Sequence, residues 1–210
     1  EPSDSASVEK LCDRQLGAEA SAVNLYRLAD VQMEKLTAQG MKKLFDEVEM
    51  PLAGVLFDME REGFRVDRAA LTQLQEQFGA KIAELQQAIY EVSGENFNVL
   101  SPKQLGVVLF EKLGLPAGRK TKSGYSTDAE VLENLVSAHP VVPLVLQYRA
   151  FTKLKSTYVD GLSKVIRADG RIHTCFQNTV TATGRLSSAE PNLQNIPVRT
   201  ELGAQLRKMF

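Results

Sequence analysis

Between Asp67 and Gly94 the chain places Leu71, Leu74, Phe78, Ile82, Leu85, Ile89 and Val92 at intervals of three and four residues. That spacing sets every one of these side chains on a single face of a helix of seven turns, with Asp67 as the N-cap and Gly94 as the stop. A stripe so long and so narrow needs other helices to cover it, so it directs the chain to a mainly α fold.

The flanking sequence carries the same period. Residues 8–39 read as helix, with Leu11, Leu16, Val23, Leu25, Leu28, Val31 and Leu36 as apolar positions and Gly40 as the stop. A second helix over 44–62 puts Leu52, Val55, Leu56 and Met59 on one face and ends at Gly63, followed by an extended link over 64–66. Ser101-Pro102-Lys103-Gln104 combines an N-cap, a proline in the first turn and a capping-box glutamine, opening a helix through Leu105, Val108, Leu109 and Leu113. Thr127 and Glu130 suggest another capping box, before Leu132 and Leu135. The polar loop 118–126 lies between these two helices and is expected to be exposed and mobile. From Pro140 a further helix carries Leu144, Tyr148, Phe151, Leu154, Tyr158, Leu162 and Val165, with Arg149 and Lys153 on its polar side. After the Asp169-Gly170 turn signal, 171–183 shifts to β-branched, polar and aromatic residues, the composition of one or two short antiparallel strands. The expected class is mainly α with a small antiparallel β portion (α+β).

Charge is divided along the chain. Residues 1–100 hold 10 Lys/Arg against 18 Asp/Glu, and residues 101–210 hold 15 against 8, giving halves of −8 and +7 within a net charge of −1. A basic half suits a polyanion, because clustered Lys and Arg displace counterions from phosphates. Composition leaves that reading level with an ordinary solvated surface. Cys12 and Cys175 have no neighbouring Cys, nor a His at metal spacing, so they read as reduced structural thiols. No apolar run is long enough for a membrane helix, and residues 1–9 contain no apolar stretch of the secretion-signal kind.

No nucleophile with its base, carboxylate pair, metal cluster or glycine-rich phosphate loop stands out. His139 at a helix junction and His173 in a strand-like run read as structural. The unusual stretch is 179–199, TVTATGRLSSAEPNLQNIPVR, dense in hydroxyls and amides, poor in apolar residues and carrying Arg185 and Arg199. Hydroxyls and amides can donate to phosphate and sugar oxygens, and an arginine can reach minor-groove acceptors. Taken alone, the stretch fits a plain loop somewhat better than a nucleic-acid contact.

TATGRLSS followed by PNLQNIPVR closely resembles the segment that precedes the first catalytic motif of bacterial family-A DNA polymerases, the DNA polymerase I type. FNVLSPKQLGVVLFEKLGL at 97–115, KTKSGYSTDAEVLENL at 120–135 and LKSTYVDGL at 154–162 match the same family in the expected order, and EMPLAGVLFDMEREGFRVD at 49–67 resembles its helix leading into the thumb. The resemblance implies three portions: the end of a degenerate 3'-5' exonuclease-like domain over 1–43, a thumb over 44–170 and the start of the palm over 171–210. It implies duplex phosphate contacts from Lys153, Lys155, Ser156 and Thr157, and a thumb tip containing Lys120, Lys122, Ser123 and Ser126. It also implies a minor-groove role for Arg185 at the primer terminus, primer and template contacts from Thr179, Thr183, Asn192, Gln194 and Asn195, and a place near the active site for Arg199.

The parent protein implied is a monomeric, cytoplasmic, nucleoid-associated DNA-directed DNA polymerase that binds primer-template DNA, and deoxynucleoside triphosphates when intact. Its magnesium ligands and nucleotide-binding fingers would fall after Phe210, so the 210 residues alone are expected to bind duplex without extending a primer. Active exonuclease relatives carry Tyr-x-x-x-Asp where this chain has Leu16 and Ala20, implying no 3'-5' exonuclease activity. The competing readings are a free-standing DNA-binding or scaffold protein and a helical interaction module with an incidental basic face.

Overall fold

The computed structural model describes residues 7–117, 120–121 and 124–210. In chain order the elements are α1 (Val8–Leu16), α2 (Ala22–Ala38), α3 (Lys42–Leu44), α4 (Met50–Glu62), β1 (Phe64–Arg65), α5 (Arg68–Ser93), α6 (Pro102–Gly106), β2 (Lys120–Thr121), β3 (Gly124–Tyr125), α7 (Ala129–Glu133), α8 (Val141–Leu154), α9 (Gly161–Ser163), β4 (Arg171–Ile172), β5 (Cys175–Gln177), β6 (Ser187–Ala189) and α10 (Glu201–Arg207). Among the described residues, three wide π-type turns, with backbone bonds spanning five residues, interrupt the helical runs: Phe45–Glu49 between α3 and α4, Val107–Lys112 after α6, and Lys155–Asp160 between α8 and α9. The chain forms two compact units, Glu1–Phe64 with Arg171–Asn195, and Arg65–Gly170 with Ile196–Phe210.

In the first unit, the single helix expected over 8–39 is two helices. Gly17 closes α1 in the left-handed region at φ 60°, donating its N–H to the Asp13 carbonyl at 2.9 Å. Ser21 then opens α2 by accepting from the Asn24 N–H at 3.2 Å. These two local caps satisfy the backbone groups that a continuous helix would have paired, so the chain breaks between them. Of the apolar positions expected there, only Leu28 is buried, joined by Cys12; Val23 and Leu25 are exposed. Helix α4 ends as expected at Gly63, whose φ of 68° favours glycine, and a Cβ there would also lie 2.8 Å from the His173 ring. Of its expected apolar face, Leu56 is buried while Val55 and Met59 are exposed. Strands β5 and β6 pair antiparallel, with Cys175 opposite Ala189, Phe176 opposite Ser188 and Gln177 opposite Ser187.

The second unit is organised by α5. Asp67 caps it, its Oδ1 accepting from the N–H groups of Ala69 and Ala70 at 2.9 and 3.0 Å. The stripe is buried at Leu71, Leu74, Phe78, Leu85 and Ile89, while Val92 at its end is exposed. Helix α5 packs on α8, with the Phe78 and Phe151 rings edge to face at 5.4 Å. Leu105, Leu109, Leu132, Val141, Val142 and Val145 complete a core in which each is fully buried.

The Ser101 cap forms as expected, although the Gln104 side chain accepts from the Asn98 N–H at 2.7 Å, three residues before the cap. The Thr127 capping box does not form. Asp128 occupies the N-cap of α7, and Thr127 instead presents its carbonyl and hydroxyl to Arg149. The strands β2 and β3 form a two-residue antiparallel ladder, with Lys120 opposite Tyr125 and Thr121 opposite Gly124. Among the described residues, no helix is long and apolar enough to cross a membrane.

Candidate nucleic-acid interface

In the first unit, the segment rich in hydroxyls and amides is a hairpin with a built frame. Thr174 and Ser188, both buried, sit with their hydroxyls 2.7 Å apart; the Thr174 hydroxyl lies 2.9 and 2.8 Å from the carbonyls of Ala189 and Pro191. The Ser188 oxygen also accepts from the Leu193 N–H at 3.1 Å. Gln194 clamps the other side, its Oε1 accepting from the Ser188 N–H at 3.2 Å and its Nε2 donating to the Leu186 carbonyl at 2.8 Å. Asn192 accepts from the Gln194 N–H at 3.0 Å. Two of the expected contact residues, Asn192 and Gln194, therefore use part of their hydrogen-bonding capacity to shape the loop.

The same frame leaves the remaining candidates outside. Thr179, Thr183, Arg185 and Asn195 are exposed. The loop joining β5 to β6 is drawn closed behind Arg185 by the Thr181 hydroxyl, which donates to the Arg185 carbonyl, and by the Gly184 N–H to the Thr181 carbonyl at 3.3 Å. These bonds fix the Arg185 backbone and leave its guanidinium clear of any carboxylate among the described residues.

Glutamates on the helical side anchor this hairpin. The Phe176 N–H donates to Glu60 Oε1 at 2.6 Å and the Asn178 amide to Glu49 Oε2 at 2.9 Å. Arg171 pairs with Glu62 at 2.9 Å and donates to the Gly63 carbonyl at 3.1 Å. His173 Nδ1 lies 2.7 Å from the Glu60 carbonyl, an acceptor only, so Nδ1 carries the proton. Desolvation, and then the negative charge and hydrogen bonding of Glu60, push the Cys175 thiol above its ordinary pKa.

In the second unit the candidates line the end of α8. Lys153, Ser156 and Thr157 are exposed, while Tyr158 and Val159 turn inward to the core. Lys155 is half-buried and paired with Asp160, the two side-chain oxygens lying 2.8 and 3.0 Å from its ammonium. Arg149, expected on the polar side, is half-buried against Thr127; burial lowers its guanidinium from the ordinary value, with Asp128 opposing that shift. Arg199 is exposed just before α10, whose N-cap Thr200 accepts from the Gly203 N–H at 3.1 Å.

Of the expected tip, Lys122 and Ser123 lie outside the described residues, as do 118 and 119 of the polar loop. Lys120 is placed by its backbone in β2. Ser126 is buried, its hydroxyl donating to Asp128 Oδ2 at 2.8 Å. Sequence reasoning missed Thr174, Ser188, Glu49, Glu60 and Asp160. The first two lie in strand-like alternation that could have flagged one inward face, but no local signal marks the other three.

Among the described residues, no three His, Cys, Asp or Glu side chains gather as a metal site would need. After Arg171 the only acidic residues are Glu190 and Glu201, so the donor set does not fit a divalent cation.

The family model for DNA polymerase family A matches residues 68–210. DNA polymerase I of Bacillus subtilis (strain 168) is 49% identical over 203 residues, which are 96% of this chain and 23% of that protein. DNA polymerase I of Caldicellulosiruptor bescii is 50% identical over 191 residues, 90% of this chain and 22% of that protein. A solved structure described as the POL domain of Pol1 from M. smegmatis in complex with DNA primer-template and dNTP matches with a TM-score of 0.87 and 42% identity, covering 100% of this chain and 39% of that one. The chain thus spans less than a quarter of the length of these curated relatives.

Proposed function

This chain belongs to DNA polymerase family A, and we propose that it is the part of a longer DNA-directed DNA polymerase that grips the primer-template duplex. The observation that carries this reading is the hairpin around Arg185: an exposed guanidinium on a loop closed from behind, flanked by the exposed hydroxyls of Thr179 and Thr183. An arginine so placed can enter a minor groove, where the acceptors are nearly the same for every base pair, so it senses pair geometry rather than sequence. Lys153, Ser156 and Thr157 offer one cation and two hydroxyls to phosphate oxygens. Asn195 and the free faces of Asn192 and Gln194 would line the primer and template, and Arg199 would stand near the reacting end. Lys120, Lys122, Ser123 and Ser126 would belong to the thumb tip. We assign 1–43 to the end of an exonuclease-like domain, 44–170 to the thumb and 171–210 to the start of the palm.

For the longer polymerase we propose primer extension with deoxynucleoside triphosphates and magnesium, none of it assigned to a side chain among these 210 residues. The donor set among the described residues does not fit that metal. The intact polymerase would act as a monomer in the bacterial cytoplasm.

The test is fluorescence anisotropy of the 210-residue chain on a recessed primer-template across a salt series. Each phosphate neutralised adds about 0.9 to the slope of log K against log salt. Arg185→Ala should cost about 1–3 kcal/mol of binding. Absence of binding at low salt, or primer extension by the 210 residues alone, would overturn the reading.

A further inference from the structure

On a straight α-helix two residues five apart lie about 140° from one another around the axis, so Lys155 and Asp160 would face different sides. The wide turn Lys155–Asp160 takes up an extra residue and brings both onto one side. There the Lys155 ammonium donates to both Asp160 oxygens, at 2.8 and 3.0 Å, using two of its three N–H bonds. Gln75 of α5 braces the carboxylate from below, its Nε2 3.4 Å from Asp160 Oδ1. The lysine stem passes over Gly79, where even an added Cβ would stand 3.9 Å from Cε. The two side chains are only 27% and 36% exposed. Two residues before Lys155, Lys153 is exposed, and the Ser156 hydroxyl donates to the Lys153 carbonyl at 3.2 Å, which leaves the Ser156 oxygen exposed.

We propose that Asp160, braced by Gln75, is a positioning residue that holds Lys155 as a strut across the wide turn, so that the turn presents Lys153, Ser156 and Thr157 to a duplex phosphate while Lys155 stays withheld. This rests on the duplex-binding reading above. Exchanging Asp160 for a phosphate would give Lys155 one anion in place of another and strand a half-buried carboxylate without its partner. Stranding such a charge is the costly outcome, so the internal pair persists.

The experiment is the same anisotropy salt series on the 210-residue chain, with Lys153→Met, Lys155→Met, Asp160→Asn and the Asp160→Asn/Lys155→Met pair. Lys153→Met should flatten the salt slope by about 0.9, roughly threefold in affinity between 50 and 200 mM salt. Lys155→Met should flatten it by less than half as much. Asp160→Asn releases Lys155 and should steepen the slope by about 0.9, a gain that vanishes in the double variant. Equal flattening by the two lysine variants, or a gain that survives in the double variant, overturns the strut. Reductive methylation of the folded chain, read residue by residue by mass spectrometry, supplies a measure independent of DNA. Lys153 should react several-fold faster than Lys155, and Asp160→Asn should remove the difference; equal rates in the unaltered chain overturn the proposal. Failure of the unaltered chain to bind duplex overturns the duplex reading, and the methylation ratio then judges the strut by itself.

Discussion

Replacing Gly203 by alanine sets two physical effects against each other at one position. Glycine inside a helix costs about 0.8–1.0 kcal/mol relative to alanine, so propensity alone makes the change stabilising. Gly203, however, is buried near the start of α10, and a Cβ there would run into the Pro197 carbonyl, reaching within 2.8 Å of its carbon and 2.9 Å of the Pro197 Cβ. These are mostly backbone atoms, and they cannot rotate aside. Helix α10 must therefore move, although Thr200 caps it and Leu206 and Met209 are fully buried beneath it. Its end is tied as well, because the Met209 carbonyl accepts from the Asp67 N–H at 2.7 Å. Overpacking of this kind costs about 1–3 kcal/mol beyond the propensity gain, and loosening of Leu206 and Met209 adds to it, so the expected net loss is about 2 kcal/mol. Gly79 is the control: it lies within α5, and its Cβ would meet nothing closer than the Lys155 Cε at 3.9 Å. Gly79→Ala should therefore gain about 0.8–1.0 kcal/mol. For a chain of this size the melting temperature should fall by about 4–8 °C in the first variant and rise by about 2–4 °C in the second. Urea unfolding and calorimetry of both would decide. A Gly203→Ala chain as stable as the original refutes the close approach between α10 and Pro197.

Thr174→Val removes the buried hydroxyl that meets the carbonyls of Ala189 and Pro191 and should cost about 1–3 kcal/mol, with amide exchange rising first at 187–194. At pH 8 the Cys175 thiol should alkylate more slowly than a free cysteine, because desolvation and the charge of Glu60 hold its pKa up and deplete the reactive thiolate. Glu60→Gln keeps an acceptor for the Phe176 N–H but removes the charge, so the rate should rise; an unchanged rate contradicts this account of the thiol.

The α5 stripe was legible because burial demands a period that survives in the residue order, and its capping by Asp67 and stop at Gly94 follow from local chemistry alone. The break between α1 and α2 was missed although its signals, Gly17 and Ser21, are plain; both sit inside an apolar period that reads through them. Arg149 was placed on a polar face because helical spacing does not show that Thr127 comes round to meet it. The candidate contacts around Arg185 came from motif resemblance, and their exposure could not be inferred from spacing, since loops carry no period.

The acidic first half and basic second half were countable from the residues, and their division between solvated surface and internal anchoring was not. Glu49, Glu60 and Glu62 hold Asn178, Phe176 and Arg171 across separations of more than a hundred residues. Helix, cap and stop are decided by neighbours within a turn or so of each other, where backbone geometry fixes what can meet. Which charge is left for a partner depends on what the folded chain brings beside it: Asp160 reaches Lys155 only because a wide turn rotates the helix, and Arg185 remains open because the hairpin closes behind it.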